Sequence, residues 1–239
     1  MDAGGNRARA FLAAALIATC HAQTRAPVLV ELFTSEGCSS CPPADRLLEK
    51  LDPTAIVLSE HVDYWDHQGW KDPFSSHAYT VRQEAYSRIF NTDGPYTPQM
   101  VVDGETQFVG SDAGRATEAI AGQARRKKAE VRLARSDAGL QVDVGAAPAA
   151  ADLYLVLAQA SAASQVFAGE NRGRRLQHVA VARSLQKIGS VKRGAGFSRL
   201  VELPRTAAAE RVIVFLQESG PGRVSGAAML APAAYSPAP

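Results

Sequence analysis

The sequence predicts an α/β domain followed by a smaller all-β domain of the immunoglobulin-like sandwich type. Two patterns lead to this prediction. Up to about residue 128, apolar runs of strand length alternate with segments of helical periodicity. Beyond that point, short apolar runs separated by Gly, Pro and Asn follow one another, as in a sandwich of roughly 100 residues. We therefore expect the first domain over residues 23–128, the second over 129–232 and a disordered tail over 233–239.

Local signals define the elements of the predicted first domain. Apolar runs indicate strands, and apolar residues three or four apart indicate helices. The dipeptide Asp103-Gly104 between two short apolar runs indicates a hairpin. The expected order is strand 28–33, helix 42–51, strand 55–62, helix 78–90, hairpin strands 99–102 and 106–109, and helix 113–128.

The predicted second domain consists of short strands. Leu140, Val142 and Val144 alternate with polar residues, which indicates a strand with one buried face. These strands contain no paired carboxylates, cysteines or histidine cluster, so we expect the chemistry of the protein to reside in the first domain. The expected strands cover residues 131–133, 140–144, 153–157, 179–182, 197–203, 212–216 and 224–229.

The N-terminal segment has the three parts of a secretory signal peptide over residues 1–22. A basic start precedes a short apolar stretch over 11–18, and Ala22 is a small residue before the cleavage point. Export would place the mature chain in the periplasm or outside the cell. The alternative is a lipid anchor on Cys20, because residues 16–20 resemble a lipoprotein cleavage box. No other segment has the roughly 20 apolar residues that a spanning helix needs, so we expect no membrane span.

The charge balance argues against nucleic acid as a partner. The chain has 26 Lys and Arg against 24 Asp and Glu, a formal net charge of +2. Nucleic-acid-binding domains are usually strongly basic. The one basic run, over residues 125–128, is interpreted as a solvated helix end whose cations complement the helix dipole.

Cys38 and Cys41 form the arrangement that thiol–disulfide exchange requires, because they lie three residues apart between a strand and a helix. A helix N-terminus concentrates unpaired N–H groups and partial positive charge, which favours a thiolate. We expect Cys38 to be exposed and to be the attacking sulfur, and Cys41 to lie under the first turn and to resolve the intermediate. The alternative is a permanent disulfide that pins the start of the helix.

His61 and Asp63 lie at the carboxyl end of the second predicted strand, the edge that carries the ligand crevice in open α/β sheets. We expect either residue to tune the pKa of Cys38 or to pass a proton. A sharper variant has Cys38, Cys41 and His61 binding copper, because thiolate and imidazole ligands suit that metal. The alternative is a buried hydrogen-bonded cluster with no chemical role.

Two segments resemble thioredoxin-like proteins. Residues 33–42 are similar to the active-site turn of that superfamily, and residues 96–104 are similar to its cis-proline segment with the following hairpin. The resemblance implies a thioredoxin-like fold for the first domain and a cis peptide bond before Pro98. It also implies that Thr97 faces the disulfide, so that Thr97 and Pro98 line a substrate groove.

A closer resemblance spans nearly the whole mature chain. The motifs that carry it are similar to those of the exported bacterial family catalogued as domain of unknown function 1223. They lie at residues 31–45, 61–66, 69–70, 82–83 and 169–173.

These observations predict an exported thiol–disulfide oxidoreductase that acts on protein thiols or disulfides and needs no cofactor. Cys38 would be the nucleophile and Cys41 the resolving residue. One alternative is a copper-binding or metal-delivery protein that uses the same cysteines with His61. Another is a non-catalytic interaction module.

Overall fold

A computed structural model describes residues 26–204 and 210–232, so the predicted signal peptide and the C-terminal tail lie outside the described residues. None of the helices within these two ranges is long and apolar enough to cross a membrane. In chain order the elements are β1 Leu29–Thr34, α1 Pro42–Leu51, β2 Ile56–His61, α2 His77–Phe90, β3 Gln99–Val102, β4 Thr106–Val109, α3 Ala113–Gln123, β5 Val131–Ser136, β6 Gly139–Val144, β7 Ala151–Gln165, β8 Arg175–Val191, β9 Phe197–Val201, β10 Glu210–Gln217 and β11 Val224–Leu230.

Eight strands form one mixed sheet in the order β11-β10-β7-β8-β2-β1-β3-β4. Strand β1 pairs in parallel with β2 and antiparallel with β3. Strand β8 joins the sheet beside β2, in parallel orientation, where Val181 is paired with Ser59. The remaining strands of the described chain form a small antiparallel sheet in the order β5-β6-β9. The large sheet therefore unites strands from both halves of the chain.

The predicted fold class is wrong. A thioredoxin-like α/β domain with a separate immunoglobulin-like sandwich was expected, whereas the described chain is mostly β and its large sheet continues through both halves. The cause is the β7–β8 hairpin, whose strands have 15 and 17 residues. Residues 158–163 are Ala and polar residues of low strand propensity. The sequence pattern therefore predicted a strand much shorter than β7.

Many individual elements nevertheless lie where the sequence predicted them. Helices α1 and α2 and the β3–β4 hairpin are confirmed. Helix α3 ends at Gln123 rather than at Lys128. The predicted solvated helix end is also wrong at its last residue, because Lys128 Nζ is a buried donor to Asp103 Oδ2 at 2.5 Å and to the Pro27 carbonyl oxygen at 2.6 Å.

Apolar side chains cover both faces of the large sheet. Alternate residues of β1 point to opposite faces, so Leu32 packs with α1 and α3 while Phe33 packs with α2. The small sheet covers the part of the large sheet formed by β7, β8 and β10, where Leu140 and Leu153 are fully buried. The apolar residues of helix α1, Leu48 among them, pack against the sheet. This packing fixes the position of the first turn of α1.

A polar cluster is buried on the face that α2 covers. Arg82 Nε donates to Glu31 Oε1 at 2.7 Å, and Tyr86 Oη donates to Glu31 Oε2 at 2.6 Å. Glu60 Oε1 lies 3.6 Å from Arg82 Nε, and neither oxygen of Glu60 has a hydrogen-bond partner. Burial and the charge of Glu31 raise the pKa of Glu60 well above its usual value, although Arg82 opposes this. One guanidinium therefore serves two buried carboxyl groups, and Glu60 is the one that favours its protonated form.

Candidate functional site

The two predicted cysteines form a disulfide between the end of β1 and the start of α1. Their Cα atoms are 5.4 Å apart, within the range of ordinary disulfides. Residues 35–41, here called the cysteine turn, are held by backbone hydrogen bonds from Cys38 N to Ser35 O and from Cys41 N to Cys38 O, both at 3.2 Å. The disulfide that the spacing predicted is confirmed.

The expected exposure of Cys38 is wrong, because both cysteines are 0% exposed. The connection between β7 and β8, residues 166–174 and here called the hairpin tip, covers the cysteine turn. The buried Asn171 side chain donates from Nδ2 to the carbonyl oxygens of Glu36 at 2.8 Å and of Cys38 at 2.9 Å. Glu170 Oε2 accepts a hydrogen bond from Ser39 N at 2.9 Å. A segment from the second half of the chain is therefore hydrogen-bonded to the turn that carries the buried disulfide.

Aromatic residues form the outer rim of this closed site. The rings of Trp70 and Phe167 lie with their centroids 6.0 Å apart, and Phe167 is 71% exposed. Gly169 has a φ of +71°, a conformation that side chains rarely adopt, and a Cβ there would lie 3.2 Å from Trp70 Cβ. The close approach of the hairpin tip to Trp70 therefore requires glycine at position 169.

The start of α1 differs from the expectation of free N–H donors beside Cys38. The first two helical positions are prolines, Pro42 and Pro43, which have no N–H group. The next two N–H groups, of Ala44 and Asp45, donate to the Cys41 carbonyl oxygen at 2.8 and 3.1 Å. A side-chain donor is present instead, because the Ser40 hydroxyl oxygen lies 3.3 Å from the Cys38 sulfur.

The proline segment lies beside the cysteine turn. The Thr97–Pro98 peptide bond is cis, as the resemblance implied. Trp65 Nε1 donates to Thr97 Oγ1 at 2.8 Å, and a Cβ on Gly37 would lie 3.0 Å from Trp65 Cβ. The Trp65 side chain thus joins Thr97 to the cysteine turn.

Glu36, two residues before Cys38, is the centre of a buried polar cluster. Its carboxylate accepts hydrogen bonds from Trp70 Nε1 at 2.8 Å, from the Ser164 hydroxyl and from His178 Nε2 at 3.3 Å. The side chains of Glu36 and His178 are both 0% exposed. Two of the three donors come from β7 and β8, so the second half of the chain supplies polar groups to the site as well as the cover.

His61 is linked to the cysteine turn through Asp72. His61 Nδ1 lies 2.7 Å from Asp72 Oδ2, and the same carboxylate oxygen accepts a hydrogen bond from Glu36 N at 2.8 Å. Burial opposes ionisation of Asp72, but the charge and hydrogen bond of His61, and the N–H groups of Glu36 and Phe74, lower its pKa. The tuning role expected for His61 stays a prediction, now with Asp72 as its intermediary.

Asp63 faces a different element. Its carboxylate accepts a hydrogen bond from Thr80 Oγ1 at 2.5 Å and lies 3.2 Å from His77 Nδ1, and both partners belong to α2. These contacts tie Asp63 to the first turns of α2 rather than to the cysteine turn.

The copper alternative receives no support from the geometry. Within the described ranges, no group of three or more His, Cys, Asp or Glu side chains is arranged to hold a metal ion. Cys38 and Cys41 are bonded to each other, and His61 is engaged with Asp72.

Three residues at the site were not selected from the sequence. Glu36, Asn171 and His178 each contact the cysteine turn or the cluster beside it. Asn171 lies within the family-like motif at 169–173, and this motif could have indicated that Asn171 belongs to the site. His178 is an isolated histidine on a strand, and no sequence pattern indicated it. The second half of the chain therefore contributes contacts to the site, and the expectation that the chemistry resides in the first half stays a prediction.

The fold and the site together define a mostly β protein with a buried Cys-x-x-Cys disulfide, whose turn is hydrogen-bonded to the tip of a long hairpin. A family model described as protein of unknown function (DUF1223) matches residues 29–217. The chain belongs to this family.

Two solved structures are similar to the chain. A crystal structure of a protein from Agrobacterium tumefaciens has 28% sequence identity and a TM-score of 0.78, with 90% of this chain and 98% of that chain covered. HBP35 of Porphyromonas gingivalis has 15% identity and a TM-score of 0.55, with 87% of this chain and 75% of that chain covered, and this likeness concerns the fold alone. No curated protein matches the chain.

Proposed function

We propose that the protein is a thiol–disulfide oxidoreductase that acts on protein thiols or disulfides through Cys38 and Cys41. The observation that carries the proposal is the pair's setting: a Cys-x-x-Cys disulfide between a buried strand and a helix, in a turn that Trp65 connects to the cis Thr97–Pro98 segment. This local arrangement resembles the thioredoxin-like active site, and the proposed relation to that superfamily rests on it rather than on the overall fold.

Cys38 is the nucleophile in this proposal. The Ser40 hydroxyl, 3.3 Å from its sulfur, can donate to a thiolate and so favour ionisation. Cys41 is the N-cap residue of α1 and is fixed by the hydrogen bonds that its carbonyl oxygen accepts, which suits a resolving residue. A reduced Cys38 would attack a substrate disulfide to give a mixed disulfide, and Cys41 would then displace the substrate thiol and restore the internal disulfide.

The closed state of the sulfurs restricts this reaction. An attacking thiolate must approach a disulfide sulfur directly, and neither cysteine is exposed in this structure, in which the hairpin tip is hydrogen-bonded to the cysteine turn. We therefore propose that exchange requires displacement of residues 166–174. The predicted export would supply a compartment in which such a disulfide persists.

Single-cysteine variants test the proposal. C41S should accumulate a mixed disulfide with glutathione or with a dithiol peptide, because no resolving thiol remains, whereas the matched variant C38S should accumulate much less. Intact-mass analysis measures both. More adduct on C38S than on C41S would reverse the assigned roles.

The reduction potential separates exchange from a structural role. A value above about −300 mV, with turnover of a protein disulfide such as that of insulin, is expected. A value below that limit without turnover would indicate an inert bridge, and the interaction module would then be the better description.

A further inference from the structure

A buried histidine on β8 contacts residues on both sides of the disulfide. His178 Nε2 donates to Glu36 Oε1 at 3.3 Å, and its Nδ1 lies 3.8 Å from Asp45 Oδ2, an ion-pair distance. Glu36 precedes Cys38 by two residues, and the Asp45 N–H group donates to the Cys41 carbonyl oxygen at 3.1 Å. One imidazole therefore contacts a carboxylate on each side of the cysteine pair.

The imidazole of His178 carries a positive charge at neutral pH. Burial by itself disfavours the cation, but the charges of Asp45 and Glu36 and the hydrogen bond to Glu36 outweigh this effect and raise the pKa of His178 to about 10. The side chain of Asp45 is only 5% exposed and that of His178 is 0% exposed, so water screens these charges weakly.

The other neighbours of His178 complete its surroundings. The His61 ring lies edge-on with its centroid 4.6 Å away, and the Phe74 ring lies 5.8 Å away. Asp72 is beyond His61, and the Arg183 guanidinium lies over the Phe74 ring. The carboxylates in direct contact with His178 are therefore Glu36 and Asp45.

We propose that His178 is a positioning residue that sets the redox equilibrium of the Cys38–Cys41 pair. Its cation offsets the charges of Glu36 and Asp45 and so stabilises the reduced, partly ionised pair relative to the disulfide. The biological meaning of this role rests on the proposed function. The equilibrium can be measured whether or not a protein substrate exists.

The chemistry gives the direction of the effect. When dithiothreitol reduces the disulfide, the S–S bond breaks, two electrons and two protons pass to Cys38 and Cys41, and dithiothreitol becomes a cyclic disulfide. One of the new thiols then ionises in part, and an uncompensated carboxylate nearby opposes that charge. Without the His178 cation, the equilibrium shifts towards the disulfide.

Two neutral substitutions with opposite expected effects test the proposal. H178Q removes the positive charge and keeps a hydrogen-bonding side chain, whereas D45N removes a negative charge at similar size. We expect about a tenfold shift towards disulfide in H178Q, which is about 30 mV lower in potential, and a shift towards dithiol in D45N. The double variant should lie near the wild type. Full-length mature protein, equilibrated in dithiothreitol redox buffers at pH 7 and then alkylated, gives the ratio by mass.

H77Q is the matched control, because His77 also neighbours a carboxylate but its side chain is 76% exposed. Its potential should equal that of the wild type. A purely structural role for His178 would shift H178Q and D45N in the same direction, and that result, or an unshifted H178Q, would overturn the proposal. Should H178Q fail to fold, D45N decides alone, since its potential must rise. Opposite shifts in a protein without substrate turnover would refute the proposed function and leave this inference intact.

Discussion

Replacing Asn171 with alanine tests whether the hairpin tip controls access to the disulfide. The Asn171 amide donates two hydrogen bonds to the cysteine turn, at 2.8 Å to the Glu36 carbonyl oxygen and at 2.9 Å to that of Cys38. Its oxygen also accepts a hydrogen bond from Arg174 Nη1 at 3.0 Å, which braces the tip itself. N171A removes all three while leaving the backbone path unchanged.

The magnitude follows from the two hydrogen bonds that Asn171 itself donates from the tip to the turn. Each net hydrogen bond stabilises by about 1 kcal/mol, so the closed state loses about 2 kcal/mol relative to the open one. A free-energy change of that size raises the open fraction by roughly 30-fold. If the sulfurs react only in the open state, the reduction rate rises by the same factor.

The assay is the rate at which a water-soluble phosphine reduces the disulfide of the folded protein at pH 7, followed by alkylation and mass analysis. R172A is the control, because Arg172 is an exposed neighbour in the same tip. We expect acceleration of ten- to thirty-fold in N171A and none in R172A. Equal rates for N171A and wild type, or equal acceleration in both variants, would refute the reasoning.

Two further predictions concern stability. Because the folded-state pKa of Glu60 is raised above the unfolded value of about 4.5, the stability that its neutral form contributes below pH 4.5 is lost as the pH rises. E60Q should therefore gain stability over wild type as the pH rises above 4.5, and a difference in melting temperature between the two proteins that does not change with pH would contradict this. At Gly110 an added Cβ would lie 2.7 Å from Leu32 Cδ1 and 3.1 Å from Pro98 Cβ, whereas at Gly122 nothing lies within 4 Å. The free energy of unfolding, measured by urea denaturation, should therefore fall by about 1–3 kcal/mol in G110A and should not fall in G122A. Equal losses in the two variants would show that the neighbours of Gly110 move aside without cost.

Sequence patterns predicted the parts of the site that depend on neighbours along the chain. The Cys38–Cys41 disulfide and helix α1 belong to short segments with their own signals, and the cis bond before Pro98 was implied by a resemblance of residues 96–104. Alternation located strands β5 and β6, which have one buried face, and apolar runs located strands β10 and β11.

The parts of the site that the sequence did not predict depend on contacts between residues far apart in the chain. The Asn171 contact with Cys38 joins residues 133 apart in sequence, and the His178 contact with Glu36 joins residues 142 apart. Such contacts depend on which strand lies beside β2, and a strand's own pattern does not specify its partner. Two separate domains were predicted for this reason, and the burial of both sulfurs was missed with them.

The position of β8 beside β2 has a practical consequence for cutting the chain. Strand β2 has β1 on one side and β8 on the other, so a fragment that stops before β7 would present β2 as an open edge. Unprotected edges recruit strands from other molecules, and such a fragment should self-associate. It would also lack the cover of the cysteine pair. Neither half of the chain is therefore expected to fold by itself when recombination moves it into another protein. The two halves are expected to be inherited together.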